Sequence, residues 1–172
     1  MNLFQLFKAS LMEPKKQAAV RIMTIGKILR YIFVFIFLLT LAAFIELAVG
    51  IRNTAGEVDG LLQYVEEIEW LLYPFAFVLL FVSTTLYHFA KISIFAGIGV
   101  LLLNMKKRRG EYRHLWRTAA LCVTVPTLLS FLISFWSSSL WISFAASLLT
   151  IFYLYKAVGY YPKKPPMQKK PA

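Results

Sequence analysis

Cysteine occurs once in this chain, at Cys122 inside an apolar run, so an intrachain disulfide is impossible and the thiol reads as a small buried hydrophobe. Histidine occurs twice, at His88 and His114 on different segments. No HExxH pattern and no cluster of acidic ligands accompanies them, so no metal is expected. A glycine-rich phosphate loop is missing as well, and the many serines lack a positioned base, which leaves no nucleophilic triad and no expected cofactor. These absences disfavour an enzyme. Acidic residues are also scarce: eight stand against nineteen lysines and arginines, for a formal charge of +11. Such an excess suits nucleic acid in principle. Here, however, the basic residues flank apolar segments, and no soluble stretch is long enough to build a nucleic-acid module, so nucleic acid is not an expected partner.

What the chain does have is apolar residues in unbroken blocks, 59% of the 172 residues in all. A block of roughly 20 such residues matches the ~30 Å hydrocarbon layer at ~1.5 Å rise per residue. Only a helix satisfies its backbone within one such segment. The expected fold is therefore all-α, a multi-pass helical bundle in the membrane with about four transmembrane helices, near 28–50, 70–104, 118–136 and 140–158. The first long apolar run begins at Ile28 without a trustworthy cleavage pattern, so it is expected to remain as an anchor and not to be removed as a signal peptide.

Ahead of it, residues 1–27 form a basic arm. Leu3, Phe4, Phe7, Ser10 and Leu11 fall on one helical side, which suggests an interfacial helix, with a frayed terminus as the alternative. Residues 51–69 read as a polar loop holding Arg52 against Glu57, Asp59, Glu66, Glu67 and Glu69; Leu61, Leu62, Val65 and Ile68 suggest a short surface helix within it. From Trp70 to Leu103 the apolar block is longer than one straight crossing needs. Two crossings would leave a second helix too short and put Lys106, Lys107, Arg108 and Arg109 on the wrong side, so one long, tilted or bent helix is expected, with Gly97 and Gly99 offering a bend. Ser137, Ser138 and Ser139 read as a tight turn, and the proline- and lysine-rich tail, residues 159–172, as disordered.

Basic residues concentrate in three regions: six at the N-terminal end, counting Arg30, six in the central loop and five at the C-terminal end, counting Lys156. Only Arg52 and Lys91 lie elsewhere. The positive-inside rule then places both termini and the basic loop on the cytoplasmic side. Lys106, Lys107, Arg108 and Arg109 become candidates for contact with anionic lipid or a partner protein.

Within the apolar blocks, Lys91 and His88, one helical turn apart, form a candidate intramembrane polar site. Two readings stand for Lys91: it caps a polar pocket or binds a lipid phosphate within the membrane, or it snorkels to the inner headgroups. A second pattern is hydroxyl-bearing. Thr124, Thr127, Ser130, Ser134 and Ser137 share one helix face, and Ser139, Ser143, Ser147 and Thr150 share another. Small hydroxyl residues let helices approach and bond across the contact, so these faces are expected to pack as a hairpin, with a hydrophilic pathway as the alternative. Pro126, within the first face, is expected to bend its helix.

Three stretches, FKASLMEPKKQAAVRIMTIGKILRYIF, YHFAKISIFAGIGVLL and EYRHLWRTAALCVTVPTLLSFLIS, together resemble the bacterial family catalogued as domain of unknown function 1189. The third carries most of the likeness: Tyr112, Leu115 and Trp116 lead into a helix that holds Pro126, Thr127 and Leu128. The resemblance implies a multi-pass cell-membrane protein of mostly Gram-positive bacteria, some of them labelled for maltodextrin utilisation, and implies no catalytic residues. The segment between the first two spanning helices is much shorter here than in the family's pattern. A more distant likeness is to the Yip-type membrane domain. The expected role is a non-enzymatic accessory or scaffolding protein that works through the bilayer and a membrane partner; the alternative is a small homo-oligomeric transporter or permease component.

Overall fold

The computed structural model describes residues 3–57, 60–134 and 140–164. The expected serine turn at 137–139 and the last eight residues of the tail lie outside them. Six helices follow in order: α1 (Leu3–Met12), α2 (Pro14–Ala19), α3 (Ile25–Gly56), α4 (Leu61–Met105), α5 (Tyr112–Ser134) and α6 (Leu140–Gly159), with a short 3₁₀ turn at Val20–Ile22 between α2 and α3. No strand occurs among the described residues beyond an isolated bridge between Arg108 and Lys163. The chain divides into two compact units: one gathers the described residues up to Ile28 and from Lys91 onward, and the other is Leu29–Ala90.

α5 is the centre of the first unit. Leu115 and every residue from Thr118 to Thr127 are buried, so this stretch is covered on all sides, unlike an amphipathic surface helix. α6 packs along α5, and α1, α2 and the 3₁₀ turn close over the rest of it. The N-terminal arm is thus tied down, not frayed. Leu6, Ala9 and Ser10 form the buried face of α1, whereas Phe4 and Leu11, which the sequence pattern places on the apolar stripe, are exposed. Small side chains allow the close approach to α5, which turns the bulkier stripe outward. Gln17 then links the arm together: it is fully buried, donates from Nε2 to the Ser10 carbonyl at 2.9 Å, and its Oε1 lies 3.4 Å from Cys122 Sγ.

In the second unit the two long helices meet mainly through rings. Phe33 faces Phe89 with centroids 5.7 Å apart, Phe37 meets Phe77 and Phe81, and Phe44 meets Tyr73 and Phe77. The expected loop at 51–69 is mostly helical. α3 continues to Gly56, and the predicted surface helix is the first part of α4, because nothing between Leu61 and Trp70 breaks the apolar spacing. Gly60, just ahead of α4, has φ +82°, a left-handed conformation suited to glycine. Arg52 and Glu69 meet across the two helix extensions at 3.5 Å, Arg52 exposed and Glu69 half-buried.

The 45 residues of α4 form one unbroken helix that includes Pro74, Gly97 and Gly99, roughly 68 Å long at ~1.5 Å per residue. Gly99 serves close packing: a Cβ there would stand 3.0 Å from Leu115 Cδ2 and 3.3 Å from Leu154 Cδ2, whereas at Gly97 it would meet nothing.

Candidate functional site

The basic residues are divided unequally between the units. Among the described residues, every lysine and arginine but Arg30 and Arg52 belongs to the first unit, against only Glu13 and Glu111 of the acids. Within it, the end of α4 sets the geometry of the basic loop. The Arg108 amide bonds the Leu103 carbonyl at 2.9 Å and the Lys107 amide the Asn104 carbonyl at 3.1 Å, the pattern of a Schellman C-cap. That cap needs a left-handed residue, and Lys107 supplies it at φ +51° where glycine is usual. A charged side chain therefore stands where a glycine would be less strained.

Beyond the cap the loop runs alongside the chain that leaves α6. The Arg109 amide donates to the Pro162 carbonyl at 2.8 Å and the Lys164 amide to the Lys107 carbonyl at 3.1 Å. This extended pairing alternates the side chains. Lys106 and Arg108 turn inward: Lys106 Nζ donates to the Tyr155 carbonyl at 2.7 Å and lies 3.2 Å from the centroid of its ring, and Arg108 donates to the Tyr161 carbonyl at 2.8 Å. Cations there also suit the negative end of the α6 dipole. Lys107 and Arg109 are left exposed, as are Lys163 and Lys164. Of the four expected contact residues, two thus hold the fold together and two face outward.

Behind this surface is a polar cluster that the sequence pattern did not single out. Arg117 of α5 donates to the Arg21 carbonyl of the 3₁₀ turn at 2.8 Å, and the Arg21 guanidinium lies 5.0 Å from the Tyr161 ring centroid. The Tyr161 hydroxyl is 2.7 Å from Thr118 Oγ1 and donates to the His114 carbonyl at 3.2 Å. Burial pushes the Tyr161 phenol up to about 12, although the Thr118 hydrogen bond and the Arg21 charge oppose that shift. No periodicity marks these positions, because they come from three separate segments.

Lys91, 14 residues before the end of α4, hydrogen-bonds Thr127 Oγ1 at 3.3 Å. His88, one turn earlier, is buried in the second unit, where its Nδ1 lies 2.8 Å from the Thr84 carbonyl and its ring meets Phe35 and Tyr87 edge-on.

The hydroxyl faces are used differently from expectation. α5 and α6 do pack together, and Thr124 and Thr150 are buried. Yet Thr124, Ser134, Ser147 and Thr150 donate to carbonyls of their own helices, and Ser134 and Ser143 are exposed. The short hydroxyl reaches a carbonyl three or four residues back more easily than a neighbouring helix. Toward Ser134 the pair leaves an apolar groove of about 310 Å³ lined by residues that include Pro126, Ser130, Ile133 and Ala146. Among the described residues no group of three or more histidine, cysteine or acidic side chains could hold a metal ion.

Among the described residues four helices, α3 to α6, are long and apolar enough to cross a membrane. In the most apolar of them, α3, only 22% of the apolar window is buried, so its surface is that of a helix in an apolar surround. The class defined is an all-α protein with four candidate membrane-spanning helices and one strongly basic unit. The chain belongs to the family described as protein of unknown function (DUF1189), whose family model matches residues 51–158. No curated protein and no solved structure matches the chain.

Proposed function

We propose that this is a multi-pass cell-membrane protein with both termini and the basic loop on the cytoplasmic side, acting as a non-enzymatic accessory or scaffold. Its basic unit would present Lys107, Arg109, Lys163 and Lys164 to anionic lipid or to an acidic face of a partner protein. The observation that carries this reading is the left-handed Lys107. A cap position that favours glycine holds a lysine, and the paired chain segments aim it outward beside Arg109. Such a patch gains about 1 kcal/mol per basic residue near an anionic surface.

The orientation is tested by single-cysteine labelling in a Cys122→Ser background. Lys107→Cys should resist a membrane-impermeant maleimide in intact cells, and Asn53→Cys should react. The reverse pattern refutes the orientation. Gentle cross-linking in native membranes followed by mass spectrometry tests the role: one stoichiometric partner supports the accessory reading. A second reading, a small homo-oligomeric transporter, is favoured by the Lys91–Thr127 contact, a polar pair inside two apolar helices. It requires self-cross-links alone and an oligomer in mild detergent.

A further inference from the structure

We infer that Arg21 and Arg117 form a binding site for a phosphomonoester, in the recess where the 3₁₀ turn, the start of α5 and Tyr161 meet. The two arginines are brought together by the bond from Arg117 to the Arg21 carbonyl. Arg21 Nη1 and Arg117 Nε are both enclosed and meet no acceptor in the structure. A buried donor without an acceptor is costly, and more so on a charged group. Both side chains are nevertheless half-exposed, so the cluster is reachable from outside.

Charge defines the ligand. The ionisable groups within electrostatic reach of His114, beside the recess, are Arg21, Arg113, Arg117 and Glu111. Glu111 is already ion-paired with Arg113. Glu13 is paired with Lys16. The two remaining guanidiniums have no carboxylate of their own, and a phosphomonoester carries about −1.5 to −2 at pH 7. Two arginine forks also match phosphate oxygens better than two ammonium groups would, since each guanidinium presents paired donors in a plane. Tyr161, held by Thr118 and the His114 carbonyl, keeps Arg21 in place through its ring. The same headgroup chemistry occurs in phosphatidic acid and in free inorganic phosphate. Only the lipid source rests on the proposed membrane orientation.

The full chain, purified in mild detergent and delipidated, tests both sources. Native mass spectrometry reads the phosphatidic acid retained against phosphatidylglycerol, a phosphodiester. Thermal unfolding in inorganic phosphate against chloride at equal ionic strength reads the free anion. Wild type should prefer phosphatidic acid about tenfold or be stabilised selectively by phosphate; the first result assigns the lipid and the second the soluble anion. Arg21→Lys and Arg117→Lys keep the charge but lose the fork, and each should reduce that selectivity about tenfold. Should Arg117→Lys fail to fold, Arg21→Lys carries the test, because the contact that fixes the Arg21 side chain is with the Tyr161 ring and not a hydrogen bond between elements. No selectivity in wild type, or unchanged selectivity in the folded lysine variants, overturns the site. Lys107→Gln with Arg109→Gln separates it from the surface reading. Equal retention of all anionic lipids, lowered by this double variant, defeats the recess and leaves the surface patch standing. Phosphate selectivity lost in Arg21→Lys but unmoved in the double variant, with total anionic lipid also unmoved, does the opposite.

Discussion

Among single residues, the most informative are those whose polar atoms have to find partners in an apolar interior. Lys91 and Thr127 are such a pair, with one hydrogen bond at 3.3 Å. A double-mutant cycle of Lys91→Met and Thr127→Val should give a coupling of about 1 kcal/mol in unfolding measurements. Tyr161 is a second case. Tyr161→Phe removes its bonds to Thr118 and the His114 carbonyl and should cost about 1–2 kcal/mol. Because burial raises the Tyr161 phenol to about 12, the folded state holds that proton more tightly than the unfolded chain, whose tyrosine titrates near 10. The resulting stability is complete below pH ~10 and is lost as pH rises through about 12. Tyr161→Phe should therefore lose less stability than wild type over that interval in pH-dependent unfolding. The sequence offered Lys91 and His88 as a pair because they are one turn apart; it could not say that Lys91 would meet Thr127 and His88 would meet Phe35.

At the level of elements, the glycines distinguish crowding from openness. A Cβ on Gly110 would stand 2.8 Å from Leu103 Cδ1 and 3.0 Å from the Tyr161 ring, whereas one on Gly97 would meet nothing. Gly110→Ala should accordingly destabilise the protein by about 1–3 kcal/mol, and Gly97→Ala should stabilise it by up to about 1 kcal/mol, read as opposite shifts of the unfolding midpoint. Lys107 in its left-handed cap is strained for a residue with a side chain, so Lys107→Gly should add about 1 kcal/mol of stability while removing an outward charge. Helix existence was legible in the sequence, since apolar blocks and their spacing are local properties. Helix ends were less so. Residues 51–56 looked like a loop and 61–69 like a separate short surface helix because they are polar, but polarity marks the surroundings of a helix and not where it stops.

For the molecule as a whole, charge is the organising quantity. Gathering almost all basic residues in the first unit should make lipid retention depend on anionic headgroups and on salt. Neutralising the exposed Lys107 and Arg109 should reduce phosphatidylglycerol retention relative to phosphatidylcholine by about tenfold, as measured by native mass spectrometry at low ionic strength. Neutralising Lys106 or Arg108 should act mainly on stability, because those side chains bond carbonyls near and beyond the end of α6.

By itself the sequence determined the helical class, the number of apolar helices and the three basic regions. Each follows from composition within a continuous stretch, where ~20 apolar residues make a span whatever their neighbours are. The tertiary structure alone decided which polar groups share an environment. It covers α5 on all sides with the N-terminal arm and α6, and seats Gln17 against Cys122. It also turns Lys106 and Arg108 inward by pairing their segment with residues 162–164, and brings Arg21 to Arg117 across 96 positions of sequence. Those relations depend on which surfaces fit against one another in space, and residue spacing along one segment carries no record of them.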